Sequence, residues 1–358
     1  MGADARTVNL SPARLDPIFS LRPWGARSLA PLFPEKSNLV QPIGEAWMTG
    51  VDCRFASGPF AGKKLGEAWR EMDAAWKGTA IDRGENFPLL VKFLFTREKL
   101  SVQVHPDDDY AARNEARAGG RGKTEMWYAL RAEPGAEVLL GLKPDVTRET
   151  FQKAILDGTA EECLERVPVR EGETIFVPAR TAHTIGAGLV LCEIQEYSDL
   201  TYRVYDYNRR DASGKTRELH VEKALEVLRF GEQSGGKAEP VRVERGSVTE
   251  TYLAACPYFA TEKWEFQKPV AAGSSREHFD LMIFLDGSGK MAWPDGAAEY
   301  APAQVWMIPA ALGKYEIAPQ TRTSLLRTYV PADMNELARI LEERGVERSR
   351  WSKLIHNM

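Results

Sequence analysis

The sequence predicts a mainly β protein made of two jelly rolls in series, with helices packed outside them. Short apolar runs that alternate like strands recur along the chain. They include 100–105, 126–131, 137–142, 174–177 and 188–195, and the pattern resumes after residue 240. The 29 glycines and 21 prolines lie between such runs and do not gather in one linker, which is typical of many short strands joined by turns.

Helical segments interrupt the strand pattern, since apolar residues recur in them at helical spacing. They are 63–76, 107–115, 147–166, 219–230 and a last segment that begins at Asp333 and stops at Gly345. Asp107 is a candidate N-cap, Gly158 is a candidate break, and Asp333 has capping-box spacing with Glu336. We therefore expect helices to begin or end at these residues.

The length of 358 residues suggests two to three compact domains. The stretch 231–239 is rich in Gly, Ser and Lys, which favours a linker at that point. We expect a first domain over 1–235 that includes several helices, a second jelly roll over 240–331, and a C-terminal helical extension over 332–358.

The composition argues against several classes of protein. Hydrophobic residues make up 43% of the chain and charged residues 27%, an ordinary globular balance. A net charge of −4 gives no reason to expect binding to nucleic acid or an anionic membrane, whereas a small anionic substrate needs only a few local cations. There is no apolar run of membrane-spanning length, no signal-peptide core and no CxxC pair. We expect a soluble cytoplasmic protein and leave its oligomeric state open.

The segment 101–107 places two candidate metal ligands on one face of a strand. Gln103 and His105 are two residues apart, so their side chains project to the same side. That side is the interior of the jelly roll if Val102 and Val104 face outward.

Two later segments add a carboxylate and a second imidazole. Lys123 and Glu125 share a strand face, and His183 follows five residues after Pro178, which ends a strand. With the earlier pair they supply an amide oxygen, two imidazoles and one carboxylate, which favours a shared divalent metal. This mixture suits zinc first, with Mn, Co, Ni or Fe as alternatives. An open coordination position would leave the ion a Lewis acid.

The second jelly roll lacks this ligand set. The segment 304–309 repeats a strand that ends at a proline, but Lys314 stands where the histidine would be expected. We therefore predict one metal ion per chain. The remaining histidines, His220, His278 and His356, are expected to be exposed and without function.

The segment Glu193–Arg209 carries charged side chains among β-forming residues. Burying such charges costs free energy unless they have partners or a task. The segment is therefore either part of an active site or an ordinary surface strand with its charges in water.

At these residues the chain resembles the type I phosphomannose isomerases, which are zinc enzymes of the cupin superfamily. The matching elements follow the family's order along the chain. They are 22–25, 44–47, 88–92, 101–107, 123–125, 178–183 and 193–203. Arg180 departs from the glycine usual at that point of the cupin motif. The 58-residue separation of Glu125 and His183 resembles the short bacterial form, which lacks an inserted helical domain.

The resemblance implies two cupin-type jelly-roll barrels and an aldose–ketose isomerase that interconverts mannose 6-phosphate and fructose 6-phosphate through an enediol. The implied zinc ligands are Gln103, His105, Glu125 and His183. The implied active-site residues are Lys123, Glu193 and Arg203, and the implied phosphate-binding residues are Ser101, Lys92 and Arg209.

Several alternatives remain open at this stage. A permanently charged Arg203 would stabilise an enediolate, and Glu193 is the preferred general base, with Lys123 as the competitor. Another metal cupin, either a dioxygenase or a different sugar isomerase, is the rival enzyme. A non-catalytic cupin that binds sugar phosphates is the rival from another class, although mere binding would not need Lys123, Glu193 and Arg203 together.

Overall fold

A computed structural model shows how these elements assemble, and it describes residues 9–81, 86–210, 214–232 and 235–356. Strands dominate, which confirms the mainly β fold class. The strands are β1 (Ala13–Asp16), β2 (Ile18–Ala26), β3 (Ile43–Trp47), β4 (Arg54–Phe55), β5 (Leu89–Thr96), β6 (Val102–Val104), β7 (Glu125–Ala132), β8 (Glu137–Leu142), β9 (Leu164–Pro168), β10 (Thr174–Val177), β11 (His183–Ile185), β12 (Leu189–Glu196), β13 (Tyr202–Tyr205), β14 (Gly236–Lys237), β15 (Val241–Arg245), β16 (Val248–Ala255), β17 (Ala260–Phe266), β18 (Val270–Gly273), β19 (Asp280–Asp286), β20 (Gly289–Trp293), β21 (Gly296–Tyr300), β22 (Val305–Ile308), β23 (Lys314–Pro319) and β24 (Thr323–Tyr329).

The helices are short. They are α1 (Leu65–Glu71), α2 (Ala74–Lys77), α3 (Asp108–Asn114), α4 (Arg148–Asp157), α5 (Val221–Val227), α6 (Glu336–Glu343) and α7 (Arg348–Trp351). Within the part of the chain described, none of them is long and apolar enough to cross a membrane.

Contacts within the chain group it into two compact units. The site unit comprises residues 19–47 and 88–238, and the terminal unit comprises the described residues of 1–18, 48–87 and 239–357. This grouping places 48–87 with the C-terminal half, whereas the sequence pattern placed it in the first domain. The three-domain division stays a prediction about folding units.

The site unit contains two sheets that share one core. The seven-stranded sheet has the order β14-β10-β7-β12-β5-β3-β2, and the five-stranded sheet has the order β13-β6-β11-β8-β9. One buried cluster contains Trp127, Ile175 and Leu191 from the larger sheet together with Leu140 and Ile185 from the smaller one. Closure of the two sheets into a barrel stays a prediction.

Strand β6 directs its valines away from that core. Val102 and Val104 belong to a second buried cluster, which contains Phe151 of α4 and Leu225 of α5. Fully burying side chains of this size contributes about 1.5–3 kcal/mol each. Because side chains alternate along a strand, Gln103 points to the opposite face, as the sequence predicted.

Local signals set the ends of α3 and α4. Asp107 Oδ1 accepts a hydrogen bond of 2.9 Å from the Tyr110 N–H, which confirms the predicted N-cap. Helix α4 ends at Gly158, whose φ of 76° is left-handed and suits glycine. The predicted break at Gly158 is confirmed, and a short 3-10 helix follows at Ala160–Cys163. The predicted helical segment does not reach residue 166, because 164–168 pairs with β8 as strand β9.

The terminal unit also contains two sheets. The eight-stranded sheet has the order β15-β16-β17-β24-β19-β22-β1-β4, and the four-stranded sheet has the order β18-β23-β20-β21. Residues 48–87 belong to this unit because the Trp69 ring packs edge-on against Phe279, with centroids 5.4 Å apart. The Trp76 carbonyl also accepts a hydrogen bond of 3.1 Å from the Ala310 N–H.

The predicted helix over 63–76 is two helices. The Asp73 carboxylate accepts hydrogen bonds from the Ala75 and Trp76 N–H groups and so caps a new helix, α2. An aspartate favours a helix start over a helix interior, because its side chain competes for backbone donors.

The start of the C-terminal helix differs from the prediction for a tertiary reason. Helix α6 begins at Glu336 rather than directly after Asp333. The Glu336 carboxylate does not complete a capping box. It accepts hydrogen bonds from the Ala332 N–H (2.6 Å) and from His278 Nε2 (2.9 Å).

His278 is buried, so its predicted exposure is wrong; His220 and His356 are half-buried. His278 Nδ1 lies 3.2 Å from Asp280 Oδ1, and Arg327 Nη2 lies 2.9 Å from the same oxygen. Burial lowers the pKa of His278, but hydrogen bonds to Asp280 and Glu336 outweigh it and raise the pKa to about 9.

This cluster should make the stability of the protein depend on pH. Because the pKa of folded His278 lies above the ordinary 6.5, its stabilising contribution is full below pH 6.5 and is lost as the pH rises through 9. We expect the free energy of unfolding to fall by about 2 kcal/mol over this window. Glu336→Gln should flatten this dependence in thermal or denaturant unfolding measured from pH 6 to 10.

Glu343→Gln is the matched control, since Glu343 is exposed on the same helix. It removes the same charge and should leave the slope unchanged. If the free energy of unfolding of Glu336→Gln depends on pH as strongly as that of the wild type, the His278–Glu336 contact is not the cause of the dependence.

Candidate metal centre and adjoining cleft

Two imidazoles and one carboxylate converge in the core of the site unit. One ligand atom from each of His105, Glu125 and His183 lies within 4.8 Å of the other two. His105 Nε2 is 3.7 Å from Glu125 Oε2, and His183 Nε2 is 3.4 Å from Glu125 Oε1. All three side chains are at most 1% exposed.

Strand pairing brings these residues together. His183 on β11 lies directly opposite Gln103 on β6, and Gln103 Nε2 lies 3.2 Å from His183 Nε2. Glu125 is the first residue of β7, where it pairs with Val177 and with Gln195 on the two neighbouring strands. The separate segments that the sequence pattern singled out thus meet at one point.

Hydrogen bonds to backbone carbonyls orient both imidazoles. His105 Nδ1 donates to the Leu200 carbonyl at 2.7 Å, and His183 Nδ1 donates to the Thr181 carbonyl at 2.9 Å. With Nδ1 protonated, the Nε2 lone pair of each neutral ring faces Glu125, which is the arrangement of metal-binding histidines.

The pKa values of both rings favour the neutral form. Burial, followed by the charge of Lys123, lowers the pKa of His105 well below its usual value. Burial lowers the pKa of His183 to about 4. Neutral imidazoles are the protonation state that a metal ion requires.

The Glu125 carboxylate provides the test of fit. Both of its oxygens are buried and neither accepts a hydrogen bond, although Lys123 Nζ lies 3.0 Å from Oε2. A buried carboxylate without hydrogen bonds is costly, and a cation in contact with it removes that cost. The three residues therefore fit a divalent metal cofactor. The Gln103 amide is a fourth candidate ligand. A rotation of the amide by 180° exchanges its oxygen and nitrogen and places the oxygen beside His183 Nε2, on the side of the candidate metal site.

A cleft of about 430 Å³ adjoins this centre. Six of the predicted site residues line it: Lys92, Ser101, Gln103, Lys123, Glu193 and Arg203. The other ionisable residues in its lining are Arg22, Glu45, Asp199 and Arg217. Five cations and three carboxylates thus face a common space, which gives the lining residues a net charge of +2.

Glu193 and Lys92 lie buried in the cleft wall. Glu193 Oε1 accepts a hydrogen bond of 3.2 Å from Trp127 Nε1, and Glu193 Oε2 lies 3.6 Å from Lys92 Nζ. Burial raises the pKa of Glu193 despite the opposing charges of Lys123 and Lys92. Burial lowers the pKa of Lys92, but carboxylates led by Glu193 outweigh this and raise it above its usual value.

Arg203 is held at the same cleft by two hydrogen bonds. Its Nε donates to Ser101 Oγ and its Nη1 donates to the Glu218 carbonyl, both at 3.2 Å. Burial and the neighbouring charge of Arg217 lower the pKa of Arg203 from the usual arginine value. Strand β13 supplies this residue next to Gln103, its partner on β6.

Of the six residues predicted for the active site and the phosphate, Arg209 alone is absent from the described lining of the cleft. Its guanidinium donates to Asp206 Oδ1 at 2.5 Å and to the Lys99 carbonyl at 2.7 Å. Arg217 lies in the lining, and the sequence analysis did not single it out. The chain returns to the cleft only after the turn that follows residue 206, and no motif or periodicity marks that return.

Comparisons with known proteins bear on the family of this chain. A family model described as phosphomannose isomerase type I, catalytic domain, matches residues 14–147. GmuF of Bacillus subtilis (strain 168), a probable mannose-6-phosphate isomerase, is 35% identical over 310 residues, which are 86% of this chain and 96% of its own. The mannose-6-phosphate isomerase ManA of the same organism is 33% identical over 315 residues, which are 87% of this chain and 96% of its own.

Solved structures share the fold. The crystal structure of the mannose 6-phosphate isomerase from Bacillus subtilis superposes with a TM-score of 0.81 at 30% identity, and the match covers 89% of this chain and 99% of that one. A zinc-bound mannose 6-phosphate isomerase has a TM-score of 0.71 at 16% identity over the same shares of the two chains.

Replacing one imidazole should weaken metal binding. His183→Ala removes a buried neutral donor, and we expect metal affinity to fall by about 100-fold or more. Elemental analysis of dialysed protein and titration against a chromophoric chelator would measure this. His220→Ala serves as the control, because His220 lies outside the His105–Glu125–His183 group. This variant protein should keep its metal. Full metal content in His183→Ala would remove His183 from the centre.

Proposed function

Because the chain belongs to the type I phosphomannose isomerase family, we propose that it interconverts mannose 6-phosphate and fructose 6-phosphate. The observation that carries this proposal is the meeting of Lys123, Glu193 and Arg203 in one cleft beside the His–Glu–His group. No feature of the described residues favours a dioxygenase or a non-catalytic sensor. The cytoplasmic location stays a prediction.

The proposed cofactor is one zinc ion per chain, held by Gln103, His105, Glu125 and His183. Three neutral ligands and one carboxylate suit zinc and leave most of its charge uncompensated. When bound, the ion supplies Lewis-acid polarisation of the substrate carbonyl. The zinc-bound structural neighbour has the same fold, and the ligand chemistry of this chain supports the choice of ion.

The isomerisation moves one proton between C1 and C2, so a base must reach both carbons. Glu193 suits this role because its carboxylate is buried at the cleft, and burial raises its pKa toward the working range of a general base. The Trp127 indole N–H fixes its orientation. Lys123 is less suited, since its Nζ lies 3.2 Å from His105 Nε2 and 3.0 Å from Glu125 Oε2.

Arg203 is proposed to stabilise the negative charge that develops on the enediolate oxygens. Its guanidinium stays protonated and is already oriented by Ser101 and the Glu218 carbonyl, so little reorganisation is needed during the reaction. The Ser101 hydroxyl lines the cleft and accepts the hydrogen bond that orients Arg203, and its role as a phosphate contact stays a prediction.

The proposed activity is tested by incubating the purified protein with mannose 6-phosphate and following fructose 6-phosphate. We expect turnover that is lost after chelation and restored by zinc. Metal-replete, folded protein that leaves mannose 6-phosphate unchanged would contradict the proposal.

The stoichiometry is a separate prediction. We expect one tightly bound ion per chain, since the described residues contain one cluster of three ligating side chains. Elemental analysis of tag-free, dialysed protein would measure it, and reactivation of the chelated enzyme should be complete at one equivalent of zinc. Two ions that survive dialysis would contradict the prediction.

Arg203→Lys should reduce turnover more than it reduces metal content or substrate affinity. Lysine keeps the charge but loses the planar fork that can contact two oxygens. Losing one such transition-state donor typically costs about 10²–10³ in kcat. We expect kcat and kcat/KM to fall together in steady-state kinetics.

Arg210→Lys is a suitable control, because the Arg210 guanidinium donates to the Gly214 carbonyl and does not line the described cleft. A thermal melt of each variant separates catalysis from folding. An Arg203→Lys protein with a lower melting temperature and a near-normal kcat would assign Arg203 a structural role.

A further inference from the structure

Arg217 presents an oriented guanidinium to the cleft. Its Nε lies 2.7 Å from Asp206 Oδ2 and its Nη2 lies 2.5 Å from Asp206 Oδ1, so the carboxylate binds one edge of the group with two hydrogen bonds. The Asp206 side chain is 6% exposed, whereas that of Arg217 is 29% exposed. A buried anchor thus fixes a cation that solvent or a ligand can reach.

The charges around Arg217 are not balanced by the protein. Arg203, Arg209 and Arg217 contribute three positive charges, and Asp206 contributes one negative charge. Among the described residues, no other carboxylate lies within ion-pairing distance of the three guanidinium groups. The local charge is therefore +2, which matches a phosphate monoester carrying −1.5 to −2 at neutral pH.

The two other candidate cations have their donors engaged. Lys92 is 3% exposed, and its Nζ lies 3.6 Å from Glu193 Oε2 and 3.3 Å from Asp199 Oδ1. Arg209 donates to Asp206 and to the Lys99 carbonyl, and it does not line the described cleft. Arg217 lines the cleft, and its described hydrogen bonds to Asp206 use Nε and Nη2 but not Nη1.

A series of contacts leads from the metal centre to Arg217. Ser101 Oγ lies 3.4 Å from Gln103 Oε1, and Arg203 Nε lies 3.2 Å from Ser101 Oγ. Arg203 Nη1 then reaches the carbonyl of Glu218, the residue after Arg217. In a hexose 6-phosphate the phosphate is at the opposite end of the carbon chain from C1 and C2. The series begins at the candidate metal ligand Gln103 and ends at the residue next to Arg217. If C1 and C2 lie at the metal end, the phosphate lies toward Arg217.

We propose that Arg217 binds the phosphate of the sugar phosphate and makes the enzyme specific for phosphorylated hexoses. This proposal rests on the proposed function of the same site. A planar guanidinium binds phosphate oxygens bidentately, and Asp206 pre-orients it, so less entropy is lost on binding. The residue determines affinity for the phosphate and leaves the chemistry at C1 and C2 to the metal end of the cleft.

The test compares Arg217→Gln, Arg209→Gln and the control Arg210→Gln in the zinc-loaded full-length enzyme. Losing a charge-assisted hydrogen bond of this kind should raise KM for mannose 6-phosphate about 10- to 100-fold in Arg217→Gln, with kcat within about threefold of wild type. Arg210→Gln should change KM by less than about threefold. Arg209→Gln removes one nearby charge but no group that lines the described cleft, so it should raise KM less than Arg217→Gln does. The inhibition constant of inorganic phosphate should rise in parallel with KM.

Binding without turnover separates this proposal from the proposed function. Calorimetry with mannitol 6-phosphate, which has no carbonyl to isomerise, should show the same loss in Arg217→Gln and a partial loss in Arg217→Lys. A thermal melt confirms that each variant is folded. An unchanged KM and an unchanged affinity for mannitol 6-phosphate in folded Arg217→Gln would overturn the proposal. Wild-type protein that binds mannitol 6-phosphate through Arg217 without isomerising mannose 6-phosphate would overturn the proposed function alone.

Discussion

The buried carboxylate of Glu125 is the constraint around which the candidate site is organised. Its two oxygens lie in the core of the site unit without accepting a hydrogen bond from the described residues, and they face the Nε2 atoms of His105 and His183. Burial of such a charged group is costly unless cations compensate it. Lys123 Nζ lies 3.0 Å from Oε2, and a metal ion between the carboxylate and the two rings would add to this compensation. Sheet pairing, backbone carbonyls that orient the rings, and burial that keeps them neutral all fit one divalent ion at this point.

The contacts of the two ring nitrogens distinguish the candidate metal ligands, His105 and His183, from His278. His105 and His183 each use Nδ1 for a backbone carbonyl and direct Nε2 toward the Glu125 carboxylate. His278 in the terminal unit has Asp280 at Nδ1 and Glu336 at Nε2, so it is held as a cation and has no lone pair to offer a metal. A buried histidine is therefore a ligand or an ion-pair partner according to what its second nitrogen contacts.

Charge also explains how one cleft can hold a metal centre, a base and an anionic substrate. Lys92 lies between Glu193 and Asp199, which offsets its burial. At the other end, Arg203 and Arg217 remain positive beyond what Asp206 balances. Glu193, the proposed base, thus lies among charges that balance, whereas positive charge stays unbalanced at the end proposed for the phosphate.

The sequence by itself determined the mainly β fold class and the α3 cap at Asp107, because each depends on neighbours within a few residues. It also singled out His105, Glu125 and His183 as candidate ligands, but the pairing of distant strands brings them together. Alternation along β6 sufficed to direct Gln103 inward. Only the tertiary structure decided that 48–87 packs in the terminal unit, that Glu336 contacts His278, and that Arg217 rather than Arg209 lines the cleft. These outcomes depend on where distant segments return in space, and local periodicity carries no information about that.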